Sequence, residues 1–179
     1  IAPPIGAVAD AFGQLIMRTT ELQPFLMGIL VSVLVGIALT LPISSAAICA
    51  ALGLTGLAGG AAVAGCCAQM VGFAVISFKE NGFGGLVSQG IGTSMLQMPN
   101  ILRNPRIWIA PTLASAVTGP LAVCVFDLRM YGAAINSGMG TCGLCGPIGM
   151  ILGWISPENG YPAEVTALQW IGLVLICFV

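Results

Sequence analysis

Long apolar runs alternate along this chain with short interruptions that are polar or rich in glycine. The run at residues 24–41, PFLMGILVSVLVGIALTL, is the cleanest. Pro24 suits a helix start, where its missing N–H has no partner to lose, and Pro42 stops the run. Residues 43–60 are apolar but made largely of small side chains, as closely approaching helices require; they read as a tightly packed span or as half of a re-entrant pair. Residues 61–78 form a second good span whose strongly polar member is Gln69, either an interhelical hydrogen-bonding group or a cavity-lining one. Residues 107–126 predict a span kinked or broken at Pro111 and Pro120, where helical hydrogen bonds are lost. A last span begins at residue 165. From Leu22 to Phe78 there is no Asp, Glu, Lys, Arg or His, far more than the roughly 20 apolar residues that cross a bilayer.

Between these runs lie segments of another kind. Residues 79–106, KENGFGGLVSQGIGTSMLQMPNILRNPR, carry charge at both ends and none from Gly82 to Met98. The middle is too rich in Gly, Ser, Thr and Gln for an ordinary span. It predicts a re-entrant hairpin or a broken helix, a form tolerated at membrane depth only where protein or a water-filled cavity surrounds it. Residues 134–153, AINSGMGTCGLCGPIGMILG, form a second such segment, followed by a polar loop at 154–164. Loose similarity between Pro42–Ser45 with Gly56–Gly59 and Ile135–Ser137 with Gly143–Gly146 hints at internal repetition. Paired interrupted segments of this kind mark transporter cores. At the start, Ile5, Val8, Phe12, Leu15 and Ile16 follow helical spacing, so residues 7–19 read as an interfacial amphipathic helix or a plain connector. The fold expected is an all-α polytopic membrane protein, its transmembrane helices interrupted by glycine-rich re-entrant or broken segments. Residues 1–179 form a single domain, with 79–106 as the substrate-site stretch.

Composition sharpens this picture. Hydrophobic residues make up 58% and charged residues 6%, against roughly 25% charged in soluble domains, so a water-facing surface could not be covered. A net charge of −1 argues against a nucleic-acid partner, which calls for a clustered basic face. Lys79, Arg103 and Arg106 fall on one side of a hairpin between them, the cytoplasmic side by the positive-inside rule. The first residue is not Met and the last ones are apolar, so a fragment of a longer bundle is expected. Cys49, Cys66, Cys67 and Cys177 lie in apolar runs and read as small helix-interface residues. Cys142 and Cys145 have CxxC spacing, but without His or a second pair they predict no metal site and no redox centre.

Candidate chemistry concentrates in the central stretch. Charge near the membrane interior is costly and often functional. Glu80, beside Asn81, reads as a carboxylate that accepts hydrogen bonds from a sugar or handles a proton; the competing reading is a solvated helix-end charge. Gln97, Asn100, Arg103 and Asn104 offer donors and acceptors that scarcely titrate near neutral pH, which suits a neutral polyol. With Arg106 nearby, a phosphate group or a basic orienting loop suits them too. Asn136 and Ser137 form a third polar pair, substrate-binding or helix-capping. No catalytic residue is expected: without His there is no Ser-His-Asp or Cys-His arrangement, and Gly56–Gly60 lacks the lysine of a phosphate loop.

The run from Ser88 through Gln97, Asn100, Arg103 and Trp108 to Ser115 resembles the sugar phosphotransferase-system enzyme IIC family in its PfoR-like branch, associated with regulation of the toxin perfringolysin. Thr40 to Ala47, Gln69 to Phe78 and Gly138 to Thr141 are similar to it as well. The resemblance implies a bundle of about ten helices in a bacterial cytoplasmic (inner) membrane. It also implies a homodimer that binds sugar within the lipid bilayer and presents it to a phosphorylated IIB-type partner, which carries the phosphoryl group. No cofactor is implied. Better-known members combine a His with a Glu at the sugar, and this chain has no His. The alternative is a sensor or regulator that keeps the fold and transports nothing.

Overall fold

In the computed structural model, residue 18 and residues 22–42, 44–156 and 165–178 are described. The amphipathic helix expected over residues 7–19 lies, apart from Arg18, outside them, as does the loop over 157–164. The described residues form α1 (Pro24–Thr40), α2 (Ser45–Ala51), α3 (Gly56–Val87), α4 (Met98–Arg103), α5 (Ile109–Pro120), α6 (Ala134–Ser137), α7 (Cys145–Ile155) and α8 (Ala167–Phe178). Short 3₁₀ turns at Ser94–Gln97, Pro105–Trp108 and Cys142–Leu144, and π-helical turns at Ser88–Gly92 and Leu121–Val125, join them. Among the described residues there is no strand, only an isolated antiparallel bridge between Gly56 and Met130.

Helices α1, α3 and α5 make the central layer. Ser32 and Gly36 of α1 meet Gly65 and Gln69 of α3, so these two helices run parallel. Pro111 of α5 lies on Gly72, and Ser115 Oγ donates to the Gly65 carbonyl at 3.1 Å, so α5 runs antiparallel to both. The Ser32 hydroxyl completes the junction by donating to the Ser115 carbonyl at 2.8 Å. A Cβ on Gly65 would collide with the Ser32 carbonyl; this is the close approach that small residues permit. In a bilayer, packing of this kind together with interhelical hydrogen bonds averaging about 0.6 kcal/mol replaces the hydrophobic effect as the source of association. Because α1 and α3 are parallel, the segment between them must carry the chain back. It does so through α2 and a turn where Gly53 and Gly56 adopt φ of 59° and 58°.

Three boundaries differ from the sequence expectation. The small-residue run at 43–60 is not one span: α2 ends at Ala51, and Gly56–Gly60 already belong to α3. Pro111 breaks nothing, because it falls in the first turn of α5, where a backbone N–H has no helical partner. Pro120 ends the α-helical part, and the π-helical turn Leu121–Val125 follows. Trp154 is not in a loop; it is a buried member of α7 whose Nε1 donates to the Arg129 carbonyl at 3.0 Å.

The long helix α3 folds back on itself. At Gly82 the backbone turns to φ 56°, ψ −147°, outside the range of L-residues. Beyond it Gly85 lies against Ser77 and Asn81, and Gly90 lies against Ala74. The 79–106 stretch therefore opens with a helical hairpin whose tip is Gly82. A second hairpin is built from α6 and α7 around Gly143 and Leu144, both at positive φ. Gly149 packs on Asn136 within it, and the Gly146 amide donates to the Gly140 carbonyl at 2.9 Å. The first hairpin enters the bundle from the end where Lys79 lies. The second enters from the end where Met130 pairs with Gly56 and Ser137 Oγ donates to the Leu54 carbonyl. They meet where Thr141 Oγ1 donates to the Gly90 carbonyl.

The exterior is apolar. Leu26, Leu30 and Leu34 on α1, and Leu113, Val117 and Leu121 on α5 and its continuation, recur every four residues and are all exposed. A soluble monomer rarely displays such stripes. By length and composition, the stretches Gly56–Gly92 and Pro105–Val125 suffice to cross a membrane. In the first, the limb before Gly82 carries that length, since the chain then turns back.

Candidate functional site

The end of the bundle bearing Lys79 holds a cleft of about 210 Å³ lined by Ile76, Ser77, Glu80, Gln97, Asn100, Arg103, Asn104 and Ile107. Helical spacing puts Ile76, Ser77 and Glu80 on one face of α3, three and four positions apart. The opposite wall comes from the chain after the extended residue Thr93, whose φ of −158° ends the hairpin limb. There the 3₁₀ turn delivers Gln97, and α4, with Pro99 in its first turn, delivers Asn100 and Arg103. Asn104 ends α4 in extended backbone, and its Oδ1 accepts the Arg106 amide at 3.3 Å, capping the next turn.

Hydrogen bonds orient the polar groups. Asn100 Nδ2 donates to Gln97 Oε1 at 2.9 Å, which leaves the Gln97 amide nitrogen and the Asn100 carbonyl oxygen for a ligand. The Ser77 hydroxyl donates to the Ala74 carbonyl at 3.1 Å and keeps its lone pairs available. Ser77 and Gln97 are buried, while Glu80, Asn100, Arg103 and Asn104 are exposed. Among the described residues the ion pair is Asp127–Arg129, at the other end of the bundle, so Glu80 and Arg103 face the cleft without a salt bridge. A carboxylate, a guanidinium and three amides thus line the cleft between two isoleucines. Nothing in the lining is a nucleophile paired with a base, and among the described residues no group of His, Cys, Asp and Glu could hold a metal.

Five residues singled out in the sequence thus share one cleft: Glu80, Gln97, Asn100, Arg103 and Asn104. Three others stand elsewhere. Asn81 is exposed at the hairpin tip, its Cβ against Gly85. Asn136 packs on Gly149 inside the second hairpin, and Ser137 is tied to Leu54 at the far end of α3. Sequence reasoning missed Ser77, although its position one helical turn before Glu80 was the available signal. Gln69 is fully buried between helices, donating through Nε2 to Thr112 Oγ1 at 3.3 Å.

Apolar stripes outside, helices that break and fold back within, and a polar cleft at one end define an all-α membrane protein. The phosphotransferase system EIIC family model matches residues 1–179, and the chain belongs to that family. It is in general terms a membrane component of a phosphotransferase system. Comparison with curated proteins and with solved structures gives no match.

Proposed function

We propose that this chain is the membrane component of a sugar phosphotransferase-type transporter, binding a sugar or similar small polar solute in the cleft between α3 and α4. The observation that carries this reading is the convergence of Ser77, Glu80, Gln97, Asn100, Arg103 and Asn104 on one cleft. Family membership supports it in general. The volume of about 210 Å³ is below the roughly 300–1,000 Å³ of sites for drug-sized ligands, which favours a compact solute. Amides that donate and accept, beside a carboxylate that accepts, match vicinal hydroxyls. The chain works as a homodimer in a bacterial cytoplasmic membrane, crossing it several times, and a IIB-type partner supplies the phosphoryl group, as the resemblance to enzyme IIC implies.

A thermal-stability screen of the purified full-length protein against sugars, sugar phosphates and polyols tests this. A solute bound only by the native state at 100 times its Kd adds about 2.7 kcal/mol of stability. A hit abolished by Glu80→Gln supports the cleft. A flat screen with well-folded protein overturns it and favours the PfoR-like alternative, a membrane regulator of toxin expression that transports nothing.

A further inference from the structure

We infer that the segment Ser88–Gln97 is a movable strap, latched by Thr141 and Thr40, that gates the cleft from the interior of the bundle. The inference deepens the proposed function and rests on it for the identity of what passes.

The chemistry begins with an interrupted ladder. In a continuous α-helix the Gly90 carbonyl would accept from the amide four residues on. Here the π-helical turn pairs the Thr93 amide with the Ser88 carbonyl at 2.9 Å, and Thr93 then leaves helical geometry. The Gly90 carbonyl is therefore without a helical partner, and half-buried as it is it gains from finding one. It finds the Thr141 hydroxyl, from the tip of the other hairpin. On the far side of the break, Ser94 Oγ lies 3.4 Å from Thr40 Oγ1, at the end of α1. Thr40, Ser94 and Thr141 are all buried. The strap thus hangs between two side-chain hydroxyls from different elements.

Two further observations mark the strap as poised rather than fixed. Gln89, within it, is 4% exposed, yet among the described residues its Oε1, like that of Gln69, has no hydrogen-bond partner. A buried unsatisfied acceptor is a cost that a second position of the segment would relieve. The strap also ends at Gln97, the buried amide of the cleft wall. Moving the strap moves the wall.

The experiment places a reporter at Ser94, which is fully buried; cysteine there weakens the Thr40 contact in every variant alike, so the comparison reads the Thr141 latch. Full-length protein carrying Ser94→Cys is treated with a water-soluble cationic methanethiosulfonate, and modification is followed by mass spectrometry. Native Cys49, Cys66 and Cys67, all fully buried, serve as internal controls. Loss of one hydrogen bond worth about 1 kcal/mol raises the open population roughly fivefold. Adding Thr141→Val should therefore speed modification at position 94 about fivefold, while Thr141→Ser, which retains the hydroxyl, should leave it slow. Equal rates for Val and Thr overturn the latch. So does parallel exposure of the control cysteines, because the bundle as a whole would then have loosened. A solute from the stability screen should slow modification at 94; if the latch behaves as expected and no sugar protects, the sugar reading fails and the strap stands.

Discussion

At the cleft, residue positions that look interchangeable in the sequence have different neighbours. Glu80 lines it and Asn81 does not; Arg103 lines it and Arg106 does not. Glu80→Gln should weaken solute binding at least tenfold with the protein still folded, measured by titration calorimetry; unchanged affinity would return Glu80 to the role of a solvated charge. Lysine lacks the planar fork of arginine, so Arg103→Lys should weaken binding while Arg106→Lys leaves it unchanged. Silence at both positions would mean that both arginines merely orient the chain in the membrane. Much of this cleft was legible in advance, because charged and amide side chains are rare enough in an apolar chain that nearly every one calls for an explanation. Ser77 was only weakly legible: it lies one helical turn before Glu80, but a serine in an apolar span normally bonds its own helix, as Ser77 does. Nor could the sequence separate Asn136 and Ser137 from the cleft residues, since only the fold places them at the opposite end.

For the elements, the information lies in glycine and proline, and its meaning depends on place. The break in residues 79–106 was readable from the loss of apolar continuity, but the turning point was not, since Gly82, Gly84 and Gly85 are equivalent by composition. The backbone distinguishes them. Gly82 has φ 56° with open space around it, whereas Gly84 is helical with equally open space. Gly82→Ala should then cost about 1–3 kcal/mol from the dihedral alone, and Gly84→Ala should be neutral or slightly stabilising, both read from thermal unfolding in detergent. Similar costs would mean that the hairpin turns elsewhere. Pro111 teaches the converse: a proline in an apolar run suggests a kink until the helix start is known, and here the 3₁₀ turn Pro105–Trp108 moves that start close enough for the ring to be harmless.

At the scale of the molecule, the membrane class was evident from composition, whereas the way the helices stack was not. Residues 58–67 of α3 are nearly all small and buried, and a helix apolar on every side carries no periodicity to say which neighbour takes which face. The structure resolves this through side chains. Cys66 Sγ points to the Val35 carbonyl of α1 at 3.8 Å, and Cys67 Sγ lies 3.5 Å from Cys177 Sγ of α8. A membrane-permeant oxidant should therefore join Cys67 to Cys177 and not Cys66 to Cys177, seen as linked peptides after digestion. Linkage through Cys66 would mean that α3 is rotated relative to α8.

The bond between the hairpins also has a history in time. Thr141 and Gly90 are separated by 51 positions in the chain. At a synthesis rate of roughly 5–20 residues per second, Thr141 is made about 3–10 s after Gly90. For that interval the first hairpin, packed on its own outgoing limb through Gly90 and Ala74, lacks the Thr141 hydroxyl that bonds the Gly90 carbonyl in the folded chain. On the proposed gating, the latch on this side can therefore close only after the second hairpin has been made.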